Sequence, residues 1–308
     1  MLTLRIATRG SPLALCQAEL VADAVALASS RATQLVAVEL VIVETTGDRN
    51  RDRPIGAIGG QGAFVKEVEQ ALLEGRADLA VHSAKDLPAS FGSDELVVVA
   101  VPKRADPRDV LVGLPLAELG PGAHVATGAA RRRAQLAWLR PDLRFEELRG
   151  NVSTRLAKVP PAGAVVTAHA ALERLGLLGL AAEVLSLTTM LPQVGQGALA
   201  VQGRAGDATT AEIAALIDDA ASHRCFDAER SFLGTLGGGC DLPVGAHAVA
   251  GPSGNLEMEG MIASVDGLAL VRRSMSGPDP FELGRALAVQ LRDQCGGAGL
   301  LPGYSGIV

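Results

Sequence analysis

Five short stretches of this 308-residue sequence set charged or hydroxyl side chains beside tight turns, and most of them could handle an anion. In Ala7-Thr8-Arg9-Gly10-Ser11-Pro12, a strand ends at Arg9 and a helix begins near Ser11. Ligands of open α/β sheets settle at the carboxyl ends of strands, beside helix N-termini. Arg9 and Ser11 are therefore placed to hold a carboxylate. Ser11 also suits a helix N-cap, and the two roles are compatible. The stretch Val81-His82-Ser83-Ala84-Lys85-Asp86 delivers Ser83, Lys85 and Asp86 to the end of an apolar strand. A Lys–Asp pair on a solvated face means little, but at the end of a central strand the carboxylate lies in a cleft.

The third stretch, Ala126-Thr127-Gly128-Ala129-Ala130-Arg131-Arg132-Arg133, opens a helix with three arginines. Cations there oppose the macrodipole, so the placement calls for an anion to neutralise it. A solvated basic face is the plainer reading. From His124 to Lys158 there are seven Arg and one Lys against Asp142, Glu146 and Glu147, net +5 inside a chain of net charge −6. Arg149 and Arg155 flank the turn in Leu148-Arg149-Gly150-Asn151-Val152-Ser153-Thr154-Arg155, and Arg174 follows. Planar guanidinium forks match carboxylates better than an ammonium does. The fifth stretch, Gly237-Gly238-Gly239-Cys240-Asp241-Leu242-Pro243, leaves Cys240 on a glycine-rich loop. An exposed loop cysteine is a candidate nucleophile, because the thiolate is the reactive form, whereas most single cysteines are buried and inert. Cys16 and Cys225 fall on helices and read as structural, and Cys295 lies in a glycine-rich exit.

The bulk numbers bound the reading. Hydrophobic residues make up 48%, charged residues 20% and aromatic residues 3%, a globular composition whose cores are built from Ala, Leu and Val. The length suits two or three domains. The N-terminus lacks an apolar core followed by a cleavage site, and no run of about 18 uncharged apolar residues occurs, so a cytoplasmic protein with no membrane contact is expected. Four cysteines without CxxC spacing argue against a zinc site and a disulfide framework, and no metal is expected. Net acidity and few aromatics count against nucleic acid as a partner. One basic segment in an acidic chain fits a pocket for a small polyanion.

Positioning these stretches requires alternating strands and helices. Strands are expected at 4–8, 35–43, 79–82 and 96–101, with helices at 13–28 and 64–74. A second α/β run covers 102–192, with strands at 124–127, 143–148 and 164–167 and helices at 130–139 and up to 175. A strand at 194–201 and a helix at 211–218 follow. The alternation indicates α/β architecture with mainly parallel sheets. After Ala220 the pattern becomes α+β: a helix at 225–236, strands at 244–250, 256–263 and 268–273, and a helix at 281–293. The stretch Thr45–Gly62 has no hydrophobic period and reads as a mobile cover or an ordinary surface loop.

Together, in this order, the segments LRIATRGSPLAL, GGQGAFVKEVEQALLEGRADLAVHSAKDLP, ADPRDVLV, ARRRAQL, LRPDL, LRGNVSTRLAK, ERLGL, LPQVGQGAL and GGGCDLPVG resemble the porphobilinogen deaminase family across essentially the whole length. The resemblance implies two periplasmic-binding-protein-like α/β domains, hinged together, plus a small α+β C-terminal domain. The implied boundaries are 1–101 with 196–219, then 102–195, then 220–308. It implies hydroxymethylbilane synthase activity, a transferase reaction of porphyrin and heme biosynthesis: four porphobilinogen molecules are joined head to tail with loss of ammonia on a covalent dipyrromethane, and water releases the linear tetrapyrrole. By match to the family's motifs, Cys240 carries the dipyrromethane through a thioether. Asp86 is the catalytic carboxylate, stabilising the azafulvene-like cation that develops as ammonia leaves.

The same match gives Ser83, Lys85, Thr127, Arg131, Arg132 and Arg155 to the cofactor. Arg9, Ser11, Arg149, Arg174 and Gln196 go to the substrate. Each pyrrole brings an acetate and a propionate, which accounts for so many cations. Gln61 and Ala57 stand where lysines are expected, and Gly128-Ala129 where two serines are usual. Those changes remove two cations and two hydroxyls, although backbone N–H groups at Gly128 can replace a hydroxyl. The implied protein is a monomer. The alternatives are a non-enzymatic anion receptor of the same fold and a weakly active divergent deaminase.

Overall fold

The computed structural model describes residues 2–32, 35–46, 65–89, 93–238, 242–251 and 253–301. These divide into two compact units, Met1–Ala105 with Ala198–His223, and Asp106–Gly197 with Arg224–Val308. The expected α/β class holds: two α/β halves, each built on a five-stranded sheet, and a small C-terminal α+β element.

The first unit is built on strands β1 (Leu2–Arg9), β2 (Val36–Val43), β3 (Leu79–Ser83), β4 (Leu96–Ala100) and a late strand, Leu199–Arg204, in the order β2-β1-β3-late strand-β4. Helix α1 (Pro12–Arg31) starts where Ser11 caps it and Pro12 fills the first turn, a position that lacks a helical N–H partner in any case. It packs Ala18, Val21 and Val25 against Leu4, Ile6, Leu79 and Val81. Helix Lys66–Leu73 covers the other face, with Val68, Ala71 and Leu72 on Ala7, Val43 and Ala80. Covering both faces is what a sheet of near-continuous apolar strands demands.

In the second unit, β5 (Asp109–Gly113), β6 (His124–Ala126), β7 (Arg144–Glu146), β8 (Ala164–Ala168) and β9 (Ala181–Val184) form the order β7-β6-β8-β5-β9. The pattern of pairing is the same in both sheets. A first strand pairs in parallel with two neighbours, then one reversed strand joins the last strand to the rest. The mainly parallel expectation is thus modified by one antiparallel strand per sheet. With the late strand of the first unit as β10, the C-terminal sheet is β11 (Val244–Ala250), β12 (Leu256–Ala263) and β13 (Leu270–Gly277), fully antiparallel. Helices Ala220–Thr235 and Pro280–Val289 accompany it. This segment, expected to form a domain over 220–308, shares a unit with the second α/β half, because Met261 and Ala263 bury themselves against Ala134 and Leu191.

Three expectations need correction. The strand read at 194–201 starts only at Leu199, because Gly195 and Gly197 hold φ at 71° and 87° and break the extended run. Strands β5 and β9 were not anticipated. The helix read at 225–236 begins five residues earlier, at Ala220.

Candidate active site

In the first unit, parallel pairing of β1 with both β2 and β3 brings their carboxyl ends to one edge. Arg9 ends β1 and Ser83 ends β3 at that edge. Ser11 does cap α1, its Oγ accepting from the Ala14 N–H at 3.3 Å. Beyond Ser83, a single 3₁₀ turn spans Ala84–Asp86, tied by the Ala84 N–H to Ala198 O at 3.1 Å. Ala84 and Leu87 bury themselves, and Ser83, Lys85 and Asp86 are left half-buried. The turn therefore anchors itself through apolar residues and presents three polar ones.

His82 lies directly behind that turn and is buried. A directional chain supports it. Gln202 Nε2 donates to Glu69 Oε1 at 3.0 Å, so Gln202 Oε1 is left to accept from His82 Nε2–H, also at 3.0 Å. The ring is thus the Nε2–H tautomer. Burial pushes the imidazole down to about 4; the Gln202 bond opposes that and the charge of Arg9 adds to it.

In the second unit, the anion that neutralises the arginine-led helix is supplied by the chain itself. Helix Ala130–Leu139 begins at Ala129 without a side-chain cap. Arg131 and Arg132 turn inward from its first turn to Asp109, the first residue of β5. The two arginine side chains are 4% and 7% exposed, and that of Asp109 is 0% exposed. Arg131 Nη2 donates to Oδ2 at 2.8 Å, and Arg132 donates to Oδ1 from Nε at 3.0 Å and Nη2 at 2.8 Å. Burial alone would raise the Asp109 carboxyl; the charges of Arg131 and Arg132 outweigh it and hold it at about 2. The inference from the macrodipole to an external anion is corrected accordingly: Asp109, 22 residues upstream of Arg131, answers most of that demand. Arg131 Nε is the exception, buried with no hydrogen-bond partner.

Gln196, expected at the substrate, is fully buried and committed inward. Its Nε2 donates to Asp109 Oδ1 at 2.9 Å and to Pro107 O at 2.7 Å. Thr127 is buried, its Oγ1 accepting from the Ala129 N–H at 3.2 Å. Arg149 Nη2 donates to Glu147 Oε1 at 2.9 Å, Arg155 Nε to Gly150 O at 2.7 Å and Arg174 Nη2 to Gly197 O at 2.7 Å. Gly128 has a packing reason of its own, since a Cβ there would stand 2.5 Å from Leu148 O.

Cys240, Gln61 and Ala57 lie outside the described residues. The flanks of the cysteine loop are described. Helix Ala220–Thr235 ends just before it, and Pro243 O accepts from the Ala263 N–H at 3.0 Å just after it. A Cβ on Gly245, the second residue of β11, would be 3.2 Å from Arg131 Cδ and 2.9 Å from Pro192 O. The strand that leaves the loop thus runs against the arm of Arg131. Sequence reasoning missed Asp109, His82, Gln202 and Gly245. It also missed Glu229, a fully buried carboxylate that accepts from the Gly195 N–H at 2.7 Å and the Ala248 N–H at 2.9 Å. The one signal for Asp109 was its place at the head of an apolar run, in Asp109-Val110-Leu111-Val112. Among the described residues no group of His, Cys, Asp or Glu could hold a metal ion.

Residues 4–212 match the family profile described as "Porphobilinogen deaminase, dipyromethane cofactor binding domain", and residues 223–293 match the family's C-terminal domain. The porphobilinogen deaminase of Roseiflexus castenholzii is 47% identical over 308 residues, covering 98% of this chain and 99% of its own. That of Rubrobacter xylanophilus is 46% identical over 307 residues, covering 98% and 97%. That of Brevibacillus brevis is 42% identical over 300 residues, covering 96% and 95%. By both measures, profile and near-full-length identity, the chain belongs to the porphobilinogen deaminase family.

Proposed function

We propose that this chain performs its family's reaction with Cys240 as the attachment point and Asp86 as the acid at the reacting centre. The reaction is the stepwise condensation of four porphobilinogen molecules with loss of ammonia on a covalently bound dipyrromethane, followed by hydrolytic release of hydroxymethylbilane. When bound, the dipyrromethane supplies a nucleophilic pyrrole carbon and four carboxylates. The donor set fits such a group: guanidinium, ammonium and hydroxyl groups predominate, and Arg131 Nε is a buried donor still lacking an acceptor.

The observation that carries the reading is the turn at Ala84–Asp86, which presents Asp86 half-buried at the carboxyl edge of a sheet. There Asp86 accepts the pyrrole N–H of porphobilinogen and offsets the positive charge that grows as ammonia departs. Ser83 and Lys85, on the same turn, hold cofactor carboxylates, as do Thr127, Arg131, Arg132 and Arg155. Arg9, Ser11, Arg149 and Arg174 hold the substrate's acetate and propionate. Gln196 serves the substrate indirectly, through the carboxylate of Asp109 that it supports.

Residues 220–308 are read as a third domain, carrying the cofactor loop, and the protein as a cytoplasmic monomer with no nucleic-acid or membrane partner. Helix α1 is long and apolar enough to cross a membrane. Its buried Ala18, Val21 and Val25 and its exposed Glu19 and Asp23 fit a core helix lying on a sheet instead. Intact-mass spectrometry of the purified protein is the test. A mass above the sequence mass by one dipyrromethane, mapped by peptide analysis to Cys240, is expected. Unmodified, inactive protein after co-expression with the substrate pathway would overturn the reading, and would favour the anion receptor.

A further inference from the structure

The two arginines at the head of helix Ala130–Leu139 are not equivalent. Arg132 is tied to the protein at all three guanidinium nitrogens: Nε and Nη2 go to Asp109 Oδ1, and Nη1 donates to Val166 O at 3.2 Å. Arg131 gives Nη2 to Asp109 Oδ2 and Nη1 to Leu191 O at 2.5 Å, and its Nε stays buried without an acceptor. Two guanidiniums share one carboxylate, so the buried cluster keeps one positive charge in excess. A buried N–H without a partner costs free energy unless something satisfies it. Arg131 is also held from its far side, where Gly245 lets the strand lie against its Cδ.

We infer that Asp109 is a positioning residue for anion binding: it pins Arg132 inward and turns Arg131 so that Nε, the one nitrogen of that guanidinium without an acceptor, is left for a ligand carboxylate. The inference rests on the family reading above and refines it, since Asp109 then sets how both guanidiniums are turned toward the cofactor carboxylates. Gln196 belongs to the same device, because its amide fixes the Oδ1 oxygen that Arg132 grips. The relevant ligand chemistry is a single carboxylate meeting one guanidinium edge.

Two variants decide it. Asp109→Asn keeps the shape and removes the charge. Asp109→Glu keeps the charge and displaces it by one methylene, which guards against an Asn variant that fails to fold. Asp109→Glu protein that circular dichroism shows to be folded is expected, whatever overpacking takes from its melting point, to take up dipyrromethane from porphobilinogen on the order of ten- to a hundredfold more slowly, with KM raised more than kcat falls, as a misplaced binding group predicts. Porphobilinogen binding, measured by calorimetry in a Cys240→Ala background, is expected to weaken in parallel. Wild-type uptake, KM and binding in Asp109→Glu would overturn the inference and leave Asp109 a plain counter-ion. A wild type that takes up no dipyrromethane would sink the family reading instead, and the calorimetric comparison would still decide the role of Asp109.

Discussion

Arg132 meets Asp109 side-on, with Nε and Nη2 converging on the single oxygen Oδ1 at 3.0 and 2.8 Å while Arg131 takes Oδ2. All three groups are buried, so removing one partner strands charge in a dry interior. Asp109→Asn and Arg132→Gln should each lower stability by about 3–5 kcal/mol in urea melts at pH 7. A loss below about 0.5 kcal/mol would show that the pair is not a buried ion pair. The Asp109 carboxyl lies below its unfolded value, so its contribution is full above pH 3.8 and is lost as pH falls toward about 2.

His82 should make the protein sensitive to milder acid. Its folded value, about 4, lies below the unfolded 6.5, so the unfolded chain binds the proton first. Stability is complete above pH 6.5 and declines as pH falls toward about 4. The total is on the order of 3 kcal/mol, of which about 2 kcal/mol is gone at pH 5. Urea melts of the wild type at pH 7.5 and 5 should differ by more than those of His82→Gln, by roughly that amount. A nuclear magnetic resonance titration placing His82 near 6.5 would contradict the assignment.

Gly245 should not tolerate a methyl group. A Cβ there would sit 2.9 Å from Pro192 O, 3.1 Å from Leu191 O and 3.2 Å from Arg131 Cδ, and two of these are backbone atoms that cannot swing aside. Gly245→Ala is expected to destabilise by about 1–3 kcal/mol, the usual cost of overpacking. Because Arg131 is one of the displaced groups, cofactor uptake should fall as well, read by intact mass. A Gly245→Ala protein with wild-type melting and uptake would show that β11 does not press on that arm.

Asp86→Ala should abolish turnover and leave the fold intact. Asp86 is half-buried on a turn held by Ala84 and Leu87, so its carboxylate is not part of the packing. Circular dichroism and thermal melts should match the wild type, and product formation should fall by at least about a hundredfold, the scale of losing one preorganised electrostatic group. Retained turnover would remove Asp86 from its role.

Local signals made much of this readable. Ser11-Pro12 gave the start of α1, and the C-terminal strands β11 and β12 match their expected limits at 244–250 and 256–263. What escaped depends on distant partners. β5 is a five-residue strand whose neighbours are β8 and β9, over fifty residues away, and nothing in its own spacing marks it as the reversed strand. The arginines' need for an anion is legible in the sequence, but charge counting along 124–158 points to an external ligand, because Asp109, which answers most of that need, lies outside the segment. The stretch 194–198 looked like strand because Val194 and Ala198 flank it; its glycines, with φ near 71° and 87°, make it a turn that aims Gln196 at Asp109.

The reversed strand of the first sheet has a consequence for biosynthesis. Among the described strands, β4 touches the rest of that sheet only through residues 199–204, which the ribosome makes a hundred residues after Leu96–Ala100. A nascent chain can pair β1, β2 and β3 early, but among the described strands β4 has no partner until the second α/β half has been translated. The N-terminal half of this enzyme is therefore finished after the middle of the chain, and a polypeptide truncated before Leu199 would carry an unpaired, aggregation-prone edge on each side of the gap.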